Sequence, residues 1–146
     1  MTDVMSPLTG SVVSLDEVPD EVFSERVMGD GAAVRLADGE VVAPMKGRIE
    51  KLFEGGHGFA VENEVGLQVL VHVGIDTVHL KGEGFSLHAS EGDEVDAGDR
   101  IVTVDLDALT NKGIDMISPI VVISGQKSKV VAGDRVKAGE PLLSVE

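Results

Sequence analysis

The chain has 146 residues, which suits a single domain spanning 1–146, and a chain of this size buries about 70% of its unfolded surface on folding. Its 26 acidic and 12 basic residues give a formal net charge of -14, which opposes binding to nucleic acid or to anionic lipid headgroups. The absence of cysteine excludes disulfides, thiolate nucleophiles and cysteine-type zinc sites. An acid near the start and the lack of a long apolar run predict a cytoplasmic protein that does not insert into membranes.

Short apolar stretches, each bounded by Gly, Asp or Pro, recur along the chain and predict strands. In chain order they are GSVVSL, AAVRL, EVVAP, GRIEKLF, FAVEN, LQVLVHV, RIVTVDL, SPIVVIS, VVAGD and PLLSVE. Many short strands with frequent turn signals predict an all-β fold, an antiparallel β-sandwich or barrel. Two segments predict short helical turns: 19–26, which has acids in its first turn, and 105–113, which ends in glycine.

Two pairs of segments echo each other. SPLTGSVVSL at 6–15 matches APMKGRIEKL at 43–52, and EGDEVDAGDRIVTVD at 91–105 matches AGDRVKAGEPLLSVE at 132–146. Because the period is not sustained, the pattern predicts an internal duplication of strand pairs on two sides of one core, and not a solenoid.

His72 interrupts the apolar run 67–73. A strand period of two places Leu67, Val69, Val71 and Val73 on the core face and Gln68, Leu70 and His72 on the other face. A lone histidine on a strand is more often partly buried and hydrogen-bonded to a neighbour than functional.

A second histidine, His57, follows a Gly-Gly pair. If 57–63 and 67–73 form a hairpin, His57 lies opposite position 72 or 73, and the two imidazoles meet in one shallow site. Such a pair could bind a metal or accept a phosphoryl group. A neutral imidazole is a competent nucleophile near pH 7, and the second ring could donate a hydrogen bond to the phosphoryl oxygens.

One motif surrounds His72 and consists of Val71, His72, Gly74, Ile75, Asp76, Thr77, Val78, Leu80, Gly82, Gly84 and Phe85. This motif resembles the signature of the glucose-type enzyme IIA domain of the bacterial sugar phosphotransferase system. The segments SPLTGSVVSLDEVPDEVFSERVMGDGAAV, VVAPMKGRIEKLF and EGDEVDAGDRI resemble the same family, in the same order. The resemblance implies an antiparallel β-sandwich that carries two histidines in a shallow depression.

By this resemblance, His72 is the phosphoacceptor. It takes the group on Nε2 from the phosphocarrier HPr and passes it to a cysteine of a sugar-specific IIB domain, without a cofactor. His57 stabilises the transferred group and Asp76 lies close to the site. Some relatives also bind regulatory targets in the unphosphorylated form. The family often has threonine at the position of Gly55, so we expect a backbone carbonyl to orient His57 instead.

The resemblance also implies a docking patch for protein partners, apolar and ringed by acids. Because HPr is generally basic around its own histidine, the negative net charge of this chain would then speed the encounter between the two proteins. For each apolar residue the alternative is simple core packing. The matching positions are Phe23, Val27, Met28, Phe53, Leu70 and Val78, with Asp20 and Glu25 among the acids.

The residues alone are also compatible with two other functions. Lys46 in APMKGRI invites comparison with the modified lysine of a biotinyl or lipoyl carrier, although Gly47 stands where a flanking methionine is usual. A zinc hydrolase could use His57 and His72, but catalytic zinc normally needs three protein ligands. No metal is expected, although adventitious or partner-completed zinc could bind the two rings. His79 and His88 are predicted to be surface residues.

Overall fold

The computed structural model describes residues 2–75 and 77–146, except for the side chains of Val78 and His79. Asp76 therefore lies outside the described residues. Antiparallel strands dominate, as predicted, and two short helices interrupt them. The strands are β1 (Thr2–Met5), β2 (Gly10–Val13), β3 (Asp30–Leu36), β4 (Glu40–Val42), β5 (Gly47–Leu52), β6 (Gly58–Glu62), β7 (Gln68–His72), β8 (Phe85–Leu87), β9 (Glu94–Val95), β10 (Arg100–Val104), β11 (Ile117–Val122), β12 (Ser128–Val130), β13 (Arg135–Val136) and β14 (Pro141–Val145), and the helices are α1 (Glu21–Ser24) and α2 (Leu106–Asn111).

Three antiparallel sheets make up the β-sandwich. The largest has the order β13-β2-β3-β11-β7-β6-β5-β9, and the smaller ones have the orders β1-β14-β12 and β4-β10-β8. Strands β1 and β8 are not predicted, because four and three residues are too few to show a period of two. The short strands β9 and β13 lie inside the repeated units 91–105 and 132–146, each of which is predicted to contain a pair of strands. The strand predicted at 130–134 is wrong in position, since β12 begins at Ser128 and ends at Val130.

The internal duplication appears as equivalent strand pairs with equivalent hydrogen bonds. Strand β13 pairs with β2 as β9 pairs with β5, and β14 pairs with β1 as β10 pairs with β4. The amide of Val12 donates to the Asp134 carbonyl at 2.8 Å, and the amide of Ile49 donates to the Asp93 carbonyl at 2.9 Å. Two sets of strands, one from the two ends of the chain and one from its middle, therefore use the same pairing on two sides of one core, as the echoes predict.

Strand β7 is buried on both faces. Val69 and Val71 lie in the large core between the sheets, as the alternation predicts. Leu70, on the opposite face, belongs to a second cluster that also includes Phe23 of α1. That face was predicted to point outward, but the segment carrying α1 covers it, and Leu70 is only 3% exposed.

Both helices lie inside the segments predicted to contain them, and each is capped by an aspartate. The Asp20 carboxylate accepts a hydrogen bond from the Val22 amide at 3.0 Å, and the Asp105 carboxylate accepts one from the Ala108 amide at 3.2 Å. Over the described ranges, no helix is long and apolar enough to cross a bilayer.

Candidate phosphoryl-transfer site

The β6–β7 hairpin brings the two histidines together. Gly58 pairs with His72 in this hairpin, and the Val73 amide donates to the His57 carbonyl at 2.7 Å. The centroids of the two imidazole rings lie 5.5 Å apart, with 69° between the ring planes. The register thus places position 57 opposite position 73, one of the two positions that the predicted hairpin allows.

The tautomer of His72 is set by a backbone carbonyl. Its Nδ1 lies 2.7 Å from the carbonyl oxygen of Gly74. Because a carbonyl only accepts hydrogen bonds, Nδ1 carries the hydrogen, and in the neutral ring the lone pair is on Nε2. The nitrogen that the family resemblance assigns to phosphorylation is therefore the nucleophilic one.

A buried serine holds the carbonyl that orients His72. The amide of Gly74 donates to Oγ of Ser118 at 2.8 Å, and the Ser118 hydroxyl donates to the Met116 carbonyl at 3.0 Å. Gly74 has a φ of +73°, a conformation that glycine adopts without a steric cost. Sequence reasoning missed Ser118, because it lies 44 residues from Gly74 and belongs to another strand.

His57 is oriented by the backbone of its own loop. It is only 8% exposed, and its imidazole is hydrogen-bonded to the backbone of Glu54. Gly55 has a φ of +91°, and a Cβ added there would lie 2.8 Å from the backbone nitrogen of Gly82. A threonine at this position would collide with that backbone, so the Glu54 carbonyl takes over the orienting role.

His57 is shifted toward its neutral form. Burial, and then the neighbouring His72, lower the pKa of His57 from its usual 6.5, while the hydrogen bond to the Glu54 backbone opposes part of this shift. At rest, near pH 7, the site therefore holds a neutral His57.

The lowered pKa predicts a loss of stability in mild acid. The neutral His57 ring contributes fully to the free energy of unfolding when the pH is above 6.5, the pKa of this histidine in the unfolded chain. That contribution is lost as the pH falls through the lower pKa of His57 in the folded protein. We expect the free energy of unfolding in urea to drop more between about pH 7.5 and about pH 5.5 in the parent chain than in His57→Gln. In NMR, the His57 imidazole should titrate below 6.5; a midpoint at or above that value would contradict the shift.

Phenylalanine rings line the two imidazoles. Phe53 lies 5.2 Å from His57 and 6.4 Å from His72 between ring centroids, and Phe23 of α1 lies 5.6 Å from His72. Gly58 leaves room for Phe53, because a Cβ there would lie 2.7 Å from its Cδ2 atom. The rings restrict the imidazoles and keep water from one side of each.

A bulge in β5 turns the end of that strand toward the site. Ile49 pairs with Val61, but Lys51 pairs with Ala60, so β5 contains one residue more than its partner over this stretch. Val61 lies in the large core, and Ala60 lies in the second cluster with Leu70. The bulge therefore moves Lys51, and with it Phe53, from the core face to the face that carries His72.

The proposed docking residues differ in exposure. Val27 and Met28 are 72% and 39% exposed, and Val22, which sequence reasoning did not single out, is similarly exposed. Phe23 and Leu70 are buried in the second cluster, so neither forms the surface of such a patch. Among the remaining candidates, Glu25 is exposed, Asp20 caps α1, Phe53 is half-buried, and the side chain of Val78 and all of Asp76 lie outside the described residues.

The other candidates lie apart from the two histidines. His88 is exposed, and its Nε2 lies 2.6 Å from Oγ1 of Thr103. Lys46 is exposed just before β5, at the end of that strand opposite Phe53. Over residues 2–75 and 77–146, no group of three or more His, Cys, Asp or Glu side chains is placed to hold a metal ion.

Comparison with known proteins shows the family of this chain. The sequence model of the family described as phosphoenolpyruvate-dependent sugar phosphotransferase system, EIIA 1, matches residues 2–128. The solved structure of glucose permease IIA from Mycoplasma capricolum is 36% identical, with a TM-score of 0.92 over 97% of this chain and 94% of that chain. Neither match supports a zinc hydrolase or a biotinyl carrier. The chain belongs to the EIIA 1 family of the phosphoenolpyruvate-dependent sugar phosphotransferase system, and its role is that of a phosphocarrier in that system.

Proposed function

We propose that His72 accepts a phosphoryl group on Nε2 from phospho-HPr and passes it to the cysteine of a sugar-specific IIB domain. The observation that carries this assignment is the 2.7 Å contact between Nδ1 of His72 and the Gly74 carbonyl. It leaves the lone pair on Nε2 and fixes the ring at the end of a paired strand. The chain acts in this proposal as one cytoplasmic domain, 1–146, without a cofactor.

The transfer conserves atoms and charge in a simple way. The Nε2 lone pair of His72 attacks phosphorus, and the N–P bond to the donor histidine breaks, with its electron pair returning to the donor ring. The positive charge that develops on the His72 ring is stabilised by the Gly74 carbonyl, which accepts from Nδ1. Catalysis is then mostly positioning and charge stabilisation when two surfaces dock.

His57 would stabilise the phosphoryl group as an imidazolium. One of its ring nitrogens is engaged by the Glu54 carbonyl, so the other can donate a hydrogen bond only when the ring is doubly protonated. A phosphoryl group on His72 brings about two negative charges within reach of this ring and favours its protonation. Phosphorylation of His72 is thus coupled to proton uptake at His57.

Protein partners would dock over α1. Val22, Val27 and Met28 are exposed apolar residues beside Phe23, which contacts His72. A net charge of -14 suits a basic partner such as HPr and speeds its approach. A partner bound there would lie next to Phe23, whose ring packs against His72.

The function can be tested by reconstitution. The protein is mixed with phosphoenolpyruvate, enzyme I and HPr, and the reaction is repeated with a chelator in excess. We expect an acid-labile phosphate on the protein in both reactions, and transfer of that phosphate to a IIB domain added afterwards. An unlabelled protein, or a label that disappears with the chelator, would contradict the proposed relay.

A further inference from the structure

A cavity of about 480 Å³ opens beside His57 on the side of the β5 loop. Its volume falls in the range of small-molecule sites. The lining includes His57 but not His72, so the cavity is adjacent to the transfer site without containing its acceptor. The lining residues are Lys51, Phe53, Glu54, His57 and Lys81.

The charge in this cavity is opposite to that of the chain. It holds two lysines and one glutamate, whereas the chain has 26 acidic and 12 basic residues. Neither Lys51 nor Lys81 takes part in an ion pair with a described residue. The larger cavity, of about 770 Å³ near the β6–β7 turn, is lined by five carboxylates against Lys46 and Arg48. Of the two cavities, the one beside His57 suits an anion.

Both lysines are placed by irregular backbone. The bulge in β5 moves Lys51 to the face of the sheet that carries His72. Lys81 has a φ of +53°, a conformation that residues other than glycine rarely adopt and that often accompanies a functional site. The next residue, Gly82, packs against Gly55, so the turn that carries Lys81 is fixed to the loop that carries His57.

We propose that this cavity binds a small phosphate monoester, with the phosphate between Lys51 and Lys81 and the organic part against Phe53. Lysine ammonium groups form strong, charge-assisted hydrogen bonds with phosphate oxygens, and an aromatic ring supplies apolar contact. The site does not depend on the phosphoryl relay. The cavity shares His57 and Phe53 with the transfer site, so binding of the ester and phosphoryl transfer from HPr are measured separately.

Binding can be measured by NMR titration of the His57 imidazole and of the amides of 51–57 and 81–82. The probes are glucose 6-phosphate, inorganic phosphate and glucose. We expect saturable shifts with glucose 6-phosphate, weaker binding of inorganic phosphate because it lacks the contact with Phe53, and no shifts with glucose. Binding of the ester should weaken as salt is added.

Matched variants test the two lysines. Lys51→Gln and Lys81→Asn should each weaken binding of glucose 6-phosphate by about tenfold, since each removes one charge-assisted hydrogen bond. Asparagine tolerates a positive φ, so the second variant removes the charge without disturbing the turn. Lys46→Gln removes the same charge in the other cavity and should leave binding unchanged.

Three results would overturn the proposal. They are the absence of shifts with glucose 6-phosphate, equal binding of inorganic phosphate and the ester, and an equal loss of binding in Lys46→Gln. Phospho-HPr provides a separate comparison: if the two lysine variants bind the ester normally and only accept phosphate from HPr more slowly, the lysines contact a protein partner and the small-molecule site is wrong.

Discussion

Replacing His72 with glutamine should reduce phosphoryl acceptance from phospho-HPr to background, a loss on the order of 10⁴-fold or more in rate. Glutamine keeps a polar side chain of similar reach but has no nucleophilic ring nitrogen. The measurement is the initial rate of acid-labile phosphate incorporation in the reconstituted system. The stability of the variant should change little, because His72 is only partly buried and lies at the end of β7.

His88→Gln is the matched control for that experiment. His88 is exposed, directly follows β8 and is hydrogen-bonded to Thr103 of β10, which belongs to a different sheet from β6 and β7. Its replacement should leave phosphate incorporation unchanged. Phosphate that persists in His72→Gln, or that disappears in His88→Gln, would place the acceptor elsewhere.

Replacing His57 with alanine should slow acceptance by about 10²- to 10³-fold without abolishing it, which is the usual cost of removing one donor to a developing oxyanion. His72 still carries its lone pair on Nε2, because the Gly74 carbonyl that sets its tautomer is untouched. The rate of acceptance should fall less in His57→Gln than in His57→Ala, since the glutamine amide can donate a hydrogen bond to the phosphoryl group without taking up a proton.

The pH dependence separates a direct role of His57 from a structural one. If the imidazolium is the donor, the rate in the parent chain falls as the pH rises through the pKa of His57 in the transfer complex, whereas His57→Gln lacks this dependence. Phosphorylation of His72 should also raise the pKa of His57 in the NMR titration. A parent and a His57→Gln variant with the same pH profile would show that His57 does not act through its proton.

Local patterns in the sequence are sufficient to predict the strands longer than four residues and the hairpin formed by β6 and β7. The alternation around Val69 and Val71 assigns the core face of β7 correctly, and the short turn between β6 and β7 fixes which residue lies opposite His72. Both features are encoded within about fifteen neighbouring residues, where a period of two and the length of a turn leave little choice of register. The choice of phosphoryl chemistry came from the family motif around His72.

Other features of the site depend on contacts between segments that are far apart in the chain. Local patterns could not predict these features, because distant residues show no pattern in common. The face of β7 that looked solvent-exposed is buried by Phe23, and the tautomer of His72 depends on Ser118 through Gly74. The β5 bulge, set by the register with β6, decides where Phe53 and Lys51 point. Local patterns therefore suffice to predict that two histidines meet on one hairpin. The hydrogen bond that places the lone pair of His72 on Nε2, and the orientation of His57, depend on contacts across strands and loops that no local pattern encodes.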